Sequence, residues 1–201
     1  MVFAKHPIQG VLQLAQKNNG LVLEFSRYVH LGRGRTLSRE IFHVDAGDVS
    51  TAWLATEIDN LSEGQELALH SKVTQNSVVY HIPMIDFTHA KSPAVLLEKT
   101  NAVSDSLPVD LTLYDSGQSM HGYYFCLIVE KRWYEFLGRL LLCDQPSHLD
   151  APVVDWRWVG HSLEHHFSAL RWSCNSPLYR SLPQFVETTR SPNLESTFHI
   201  D

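Results

Sequence analysis

Ser119-Met120-His121, running directly into the apolar stretch Gly122-Tyr-Tyr-Phe-Cys-Leu-Ile-Val129, is the passage on which the reading of this chain turns. A histidine at the mouth of a strand that apolar is costly to bury without a partner. An aspartate ends a strand-like segment on either side of it in sequence, Ile82-Pro-Met-Ile-Asp86 before and Pro152-Val-Val-Asp155 after. In order, the chain therefore reads acid, small-x-histidine, acid. The near-continuous hydrophobicity of 121–129 predicts one long central strand covered on both faces.

Working outward, residues 8–17 have helical spacing and stop at Asn18-Asn-Gly20. Strands are expected at 21–28 and 38–44, around a turn at Gly32-Arg-Gly-Arg35. A helix should begin near Asp48 and run to Gly64, with Val49, Trp53, Leu54, Ile58 and Leu61 on one face. Residues 66–75 and 77–87 read as two strands, and 94–103 as a helix with Pro93 in its first turn. After a short strand at 111–114, the clearest helix is 131–142, where Trp133, Phe136, Leu137, Leu140 and Leu141 form a stripe suited to a sheet. Asp155 is expected at a strand tip, 161–167 as a turn or short helix, 169–174 as a final strand, and the end of the chain as a loosely attached tail. The sum is an α+β fold with a mixed, largely antiparallel sheet flanked by helices. Its division would be an N-terminal αβ lobe (1–75), a motif-bearing core (76–178) and the tail (179–201).

Composition narrows the classes. The 201 residues are 44% hydrophobic and 19% charged, enough for a packed core and unlike a disordered chain. No apolar run approaches the roughly 20 residues that span a bilayer, and the first residues lack the layout of an export signal. Cys126, Cys143 and Cys174 are widely spaced and set in apolar sequence, as expected of reduced core residues in a cytoplasmic protein. A net charge of −6 argues against coating nucleic acid by bulk electrostatics. A local basic track would have to come from Arg33, Arg35 and Arg39, from Lys131 and Arg132, or from Arg171 and Arg180.

Each candidate residue has a bland reading beside the functional one. Carboxylates at neighbouring strand ends, Asp86 and Asp155, make a minimal cradle for a hard divalent cation, Mg²⁺ or Mn²⁺; Asp86 could equally cap a turn. Ser119 and His121 share one face of a strand, where a small residue admits a phosphate and an imidazole donates to it; the alternative is a structural histidine. Arg171, flanked by apolar residues, should meet a carboxylate or a ligand phosphate, because burying it unpaired is expensive. Trp156, Trp158 and Trp172 are core residues or surfaces for stacked bases. His161 and His165 have the i, i+4 spacing of two ligands on a helix, but the glutamate a zinc hydrolase needs directly after the first histidine is missing.

This ordered set resembles the three motifs of the archaeo-eukaryotic primase superfamily, the primase-polymerases. Asp86 corresponds to the first acidic motif, Ser119 and His121 to the small-x-histidine motif, Asp155 to the third acid and Arg171 to the later arginine; the similarity spans roughly residues 75–178. The resemblance implies acids holding two divalent metal ions, a histidine on the phosphates of an incoming nucleoside triphosphate, and primer synthesis or extension on a nucleic acid template. It also implies a protein partner. Three departures stand out. Thr88 occupies the position of a second acid in the first motif, no lysine follows Lys131, and no zinc module is encoded. His89 is a poor substitute for that acid, since alternation faces it away from Asp86. The resemblance therefore leaves two expectations, a metal-dependent nucleotidyltransferase or a degenerate nucleotide- or nucleic-acid-binding subunit, with a zinc hydrolase as a third class.

Overall fold

Two antiparallel sheets share the chain, and strands cross from one to the other at bends beside Pro83 and Phe125. The computed structural model describes residues 3–30, 36–88, 92–104, 107–143, 152–179 and 181–189. Five helices and ten strands lie within them. They run α1 (Ile8–Lys17), β1 (Leu21–His30), β2 (Thr36–Asp45), α2 (Thr51–Asp59), β3 (Gln65–Gln75), β4 (Val78–His81) and β5 (Met84–Asp86). There follow α3 (Pro93–Ser104), β6 (Thr112–Asp115), β7 (Met120–Tyr123), β8 (Ile128–Val129), α4 (Glu130–Cys143), α5 (Trp156–His165), β9 (Ala169–Arg171) and β10 (Gln184–Thr188). The first sheet has the order β2-β1-β3-β4-β8 with β9 also on β3, and the second β10-β6-β7-β5. Every strand pair is antiparallel, so the fold is α+β.

Alternation divides the first sheet cleanly. Leu21, Leu23 and Phe25 of β1 pack with Ile8, Val11 and Leu14 of α1 and Leu54 of α2 in one core. The opposite face carries Glu24, Ser26 and His70, all buried, with Phe167 stacked on the His70 ring at 3.9 Å. A second core joins Ile85, Leu111 and Leu113 of the second sheet to Leu96 of α3 and to Trp133, Phe136, Leu137 and Leu140 of α4. Four of the five residues in the stripe that the sequence spacing predicts are buried here, while Leu141 is 44% exposed; each large apolar side chain so buried contributes roughly 1.5–3 kcal/mol.

Four expectations are corrected. Residues 77–87 are not one strand, because Pro83 has no N–H to give a ladder: β4 pairs with β3, and beyond the proline β5 pairs with β7 in the other sheet. The long strand expected at 121–129 is likewise two, β7 and β8, separated by a tight turn in which Cys126 N donates to Tyr124 O at 2.7 Å. Asp155, expected at a strand tip, instead caps a ten-residue helix, α5, which starts at Trp156 rather than at 161. Finally, Gln184–Thr188, placed in a loose tail, pairs with β6 and forms the edge of the second sheet. Arg33, Arg35, His89 and Arg180 lie outside the described residues.

Candidate functional site

Strand register brings the first two motifs together. In the β5–β7 pair Asp86 lies opposite His121, and the imidazole Nε2 is 3.9 Å from Asp86 Oδ1. Ser119, the residue just before β7, directs its hydroxyl at the same carboxylate oxygen at 3.5 Å. The third motif arrives through an isolated bridge between Phe87 and Val154, which sets Asp155 N 2.9 Å from Asp86 O. Asp86, Ser119, His121 and Asp155, from three separate stretches of sequence, thus meet at one end of the second sheet.

The electrostatics of the pair are strained in a specific way. Burial, and then the charge of Asp155, push the Asp86 carboxyl up from its usual value to about 7. Burial also lowers His121 to about 3, with Arg171 and His6 adding to the effect, so its ring is neutral at physiological pH. The Asp86–His121 approach is therefore a polar contact between groups that both resist charging, not an ion pair. His121 Nδ1 is buried and has no hydrogen-bond partner among the described residues.

Asp155 serves a second purpose. Its carboxylate caps α5, accepting from Arg157 N at 2.9 Å and Trp158 N at 3.4 Å. Arg157, an exposed residue of the same turn, brings its Nη2 to 3.4 Å from the other carboxylate oxygen. Arg157 is the neighbour that sequence reading overlooks. The signal is present, since an aspartate capping a helix places position N2 beside its own carboxylate.

Arg171 lies differently from expectation. It is 4% exposed, and its guanidinium donates to the backbone carbonyls of Ser116, Ser173 and Ser181 while stacking 3.9 Å above the Tyr179 ring. Ser116 opens the β6–β7 turn, where its hydroxyl donates to Ser119 O at 2.8 Å. Arg171 therefore ties β9 to the turn that presents Ser119, rather than reaching a carboxylate. Replacing it with methionine should lower stability by about 3 kcal/mol in urea unfolding, because buried carbonyls lose their donor; an unchanged midpoint would contradict this role.

Thr88 is fully occupied. Its hydroxyl donates to Pro152 O, its amide to Val153 O at 2.9 Å, and both bonds hold the strand end that carries Asp155. Thr88→Asp should consequently not restore a second acidic ligand. It sets a carboxylate against carbonyl oxygens, and we expect a loss of about 2 kcal/mol with no gain in Mn²⁺ affinity, read by thermal melts with and without the ion. Of the three tryptophans, Trp172 is fully buried, Trp158 is partly buried with its indole N–H on Ala169 O, and Trp156 is 63% exposed. Only Trp156 of these offers an open ring face.

The donor set bears on a metal. Burial first, and the charge of Asp155 second, drive the Asp86 carboxyl toward its neutral form, and a hard cation would stabilise the charged pair. The residues fit one divalent ion. Among the described residues, Thr88 takes the position where a further acid would stand, so a second ion lacks a carboxylate there.

A family model described as archaeo-eukaryotic primase 1D-like matches residues 45–184, well over half of the chain. The chain belongs to this primase-like family. The match extends the region of similarity back from the motif-bearing core to the end of β2, and so takes in α2 and all of β3. No curated protein and no solved structure matches the chain significantly. Members of a primase-like family use divalent metal in general. None of its helices, among the described residues, is long and apolar enough to cross a membrane.

Proposed function

We propose that this primase-like domain binds a nucleoside triphosphate, alone or on a nucleic acid, together with a single Mg²⁺ or Mn²⁺ held by Asp86 and Asp155. The observation that carries this reading is the Phe87–Val154 bridge that sets Asp155 N 2.9 Å from Asp86 O and so brings two acids to one strand end; the raised Asp86 carboxyl accords with it, since a bound cation relieves the charge of such a pair. The cation, held by Asp86 and Asp155, would offset the negative charge of the phosphate oxygens. Ser119 keeps the Asp86 oxygen oriented, and the neutral His121 ring offers an N–H rather than a positive charge. Arg157, released from Asp155 as the cation neutralises it, supplies a guanidinium for a phosphate, and Trp156 a face for a base. A protein partner that delivers the nucleic acid, and a cytoplasmic place of action, belong to the same proposal.

Slow nucleotidyl transfer is the second reading. The convergence of Asp86, Ser119, His121 and Asp155 favours it, while the commitments of Thr88 and Arg171 to backbone carbonyls favour binding without turnover. Titration with a fluorescent nucleoside triphosphate, paired with labelled-nucleotide incorporation on a primed template, separates the two. Binding that needs Mg²⁺ or Mn²⁺, with no incorporation, supports the proposal. Metal-dependent incorporation lost in Asp86→Asn and Asp155→Asn establishes the second reading. Absence of nucleotide binding with either ion overturns both.

A further inference from the structure

At the opposite end of α5 from Asp155, three side chains converge that play no part in the Asp86 cluster. His161, Glu164 and His165 are exposed, and one donor atom from each lies within 4.8 Å of the other two. The two imidazole rings are parallel within 7°, with centroids 6.1 Å apart, as the i, i+4 spacing dictates. His161 Nδ1 is already 3.4 Å from Glu164 Oε2. Tetrahedral zinc with bonds of ~2.0 Å needs ligand atoms roughly 3.3 Å apart, so modest rotation of exposed side chains closes the gap.

We infer that this face of α5 is a binding site for a transition metal ion of the zinc class, with His161, Glu164 and His165 as its protein ligands. Two imidazoles and one carboxylate select Zn²⁺, Co²⁺, Ni²⁺ or Cu²⁺ over Mg²⁺ and Ca²⁺, which prefer oxygen alone. The site sits in the last turns of the helix, where the carbonyl ends of the backbone dipoles favour a cation. His166, the next residue, is in the left-handed conformation with φ 61° and has its Nδ1 on Tyr134 Oη at 2.7 Å, which turns it out of the set. Three protein ligands leave the remaining coordination to water.

The order His-x-x-Glu-His also occurs in zinc hydrolases, where the glutamate is a base. Here the trio lies on an exposed helix face, and what is inferred for it is metal binding alone. Its consequence is mechanical. Clamping positions 161 and 165 stiffens the helix whose first residues are held by Asp155. The site stands apart from the nucleotide proposal, since it uses none of the same residues.

The test is a Zn²⁺ and Co²⁺ titration of the full chain without a polyhistidine tag, by calorimetry and by the visible absorption of bound Co²⁺. The comparison is with His161→Ala/His165→Ala, with Glu164→Gln and with Asp86→Asn/Asp155→Asn. We expect uptake of one Zn²⁺, a raised melting temperature and slower amide exchange over 157–165. Affinity should fall by at least about tenfold in the histidine variant, and remain in the aspartate variant. Those histidines are exposed, so their loss leaves the fold intact. No zinc uptake at several-fold molar excess, or uptake unchanged in the histidine variant, overturns the inference.

Discussion

Replacing Asp86 with asparagine should stabilise the metal-free protein at neutral and alkaline pH and at the same time remove its response to Mg²⁺ and Mn²⁺. The sign follows from the raised carboxyl. Below the ordinary value of 3.8, Asp86 is protonated in both folded and unfolded chains and costs nothing. As pH rises toward about 7 the unfolded chain gives up this proton while the folded one retains it, so stability is lost across that window and stays lost above it. An asparagine at this position never carries the charge. The gain from Asp86→Asn should therefore be small at pH 4 and reach about 4 kcal/mol by pH 8. Mn²⁺ should raise the melting temperature of the wild-type protein at pH 8, where the carboxylate is charged, and leave the variant unmoved. Urea unfolding at several pH values checks the first half, thermal melts the second. A destabilised variant at pH 8 would mean that Asp86 is held by contacts that favour its charge.

Acid should unfold this protein early, with a midpoint at about pH 5. Burial holds His6 and His81 near 4 and His121 near 3, against an ordinary value of 6.5. His6 shows why. Its Nδ1 accepts from Ile8 N at 3.1 Å and its Nε2 meets Trp172 O at 2.9 Å, an arrangement open only to the neutral ring. For each histidine the unfolded chain takes a proton below 6.5 that the folded chain refuses, so stability is lost as pH falls. Each contributes about 3 kcal/mol by pH 4, and together they rival the whole stability of an ordinary domain, about 5–15 kcal/mol. Glu24 acts in the same direction, since His70 and neighbouring cations hold its carboxylate below the usual range. Asp86 opposes them, but alone. Far-ultraviolet circular dichroism and tryptophan fluorescence against pH should show one cooperative loss; native signals kept down to pH 4 would contradict the assignment of these rings as buried and neutral.

Much of this can be read from the residues, and what cannot has physical causes. Apolar spacing marks α1 and α4 because one face of each meets a core and the other meets water. The pairing of Asp86 with His121 is legible in outline, since both end strands beside polar turns. The division of 77–87 and 121–129 between two sheets is hidden. A strand covered on both faces gives an unbroken apolar run, and so does a chain that bends from one covered sheet to the next. Pro83 is the clue in the first case; in the second, Phe125 and Cys126 are as apolar as the strands they join. Asp155 falls at the right place in sequence but on a different element, because Val153-Val154 reads as a strand while Val159 and Ser162, the buried face of α5, give only a short helical signal. Arg171 departs furthest from its sequence reading. A guanidinium among apolar residues demands acceptors, and backbone carbonyls, which every residue carries, leave no trace in sequence.

A cation shared by Asp86 and Asp155 is central to the proposed function. Mn²⁺ binding followed by electron paramagnetic resonance at pH 8, in the His161→Ala/His165→Ala background so that only one site is read, measures this directly. One bound Mn²⁺, with affinity reduced at least about tenfold by Asp86→Asn, is the predicted result. No bound ion, or an ion held equally well without the Asp86 carboxylate, would contradict it.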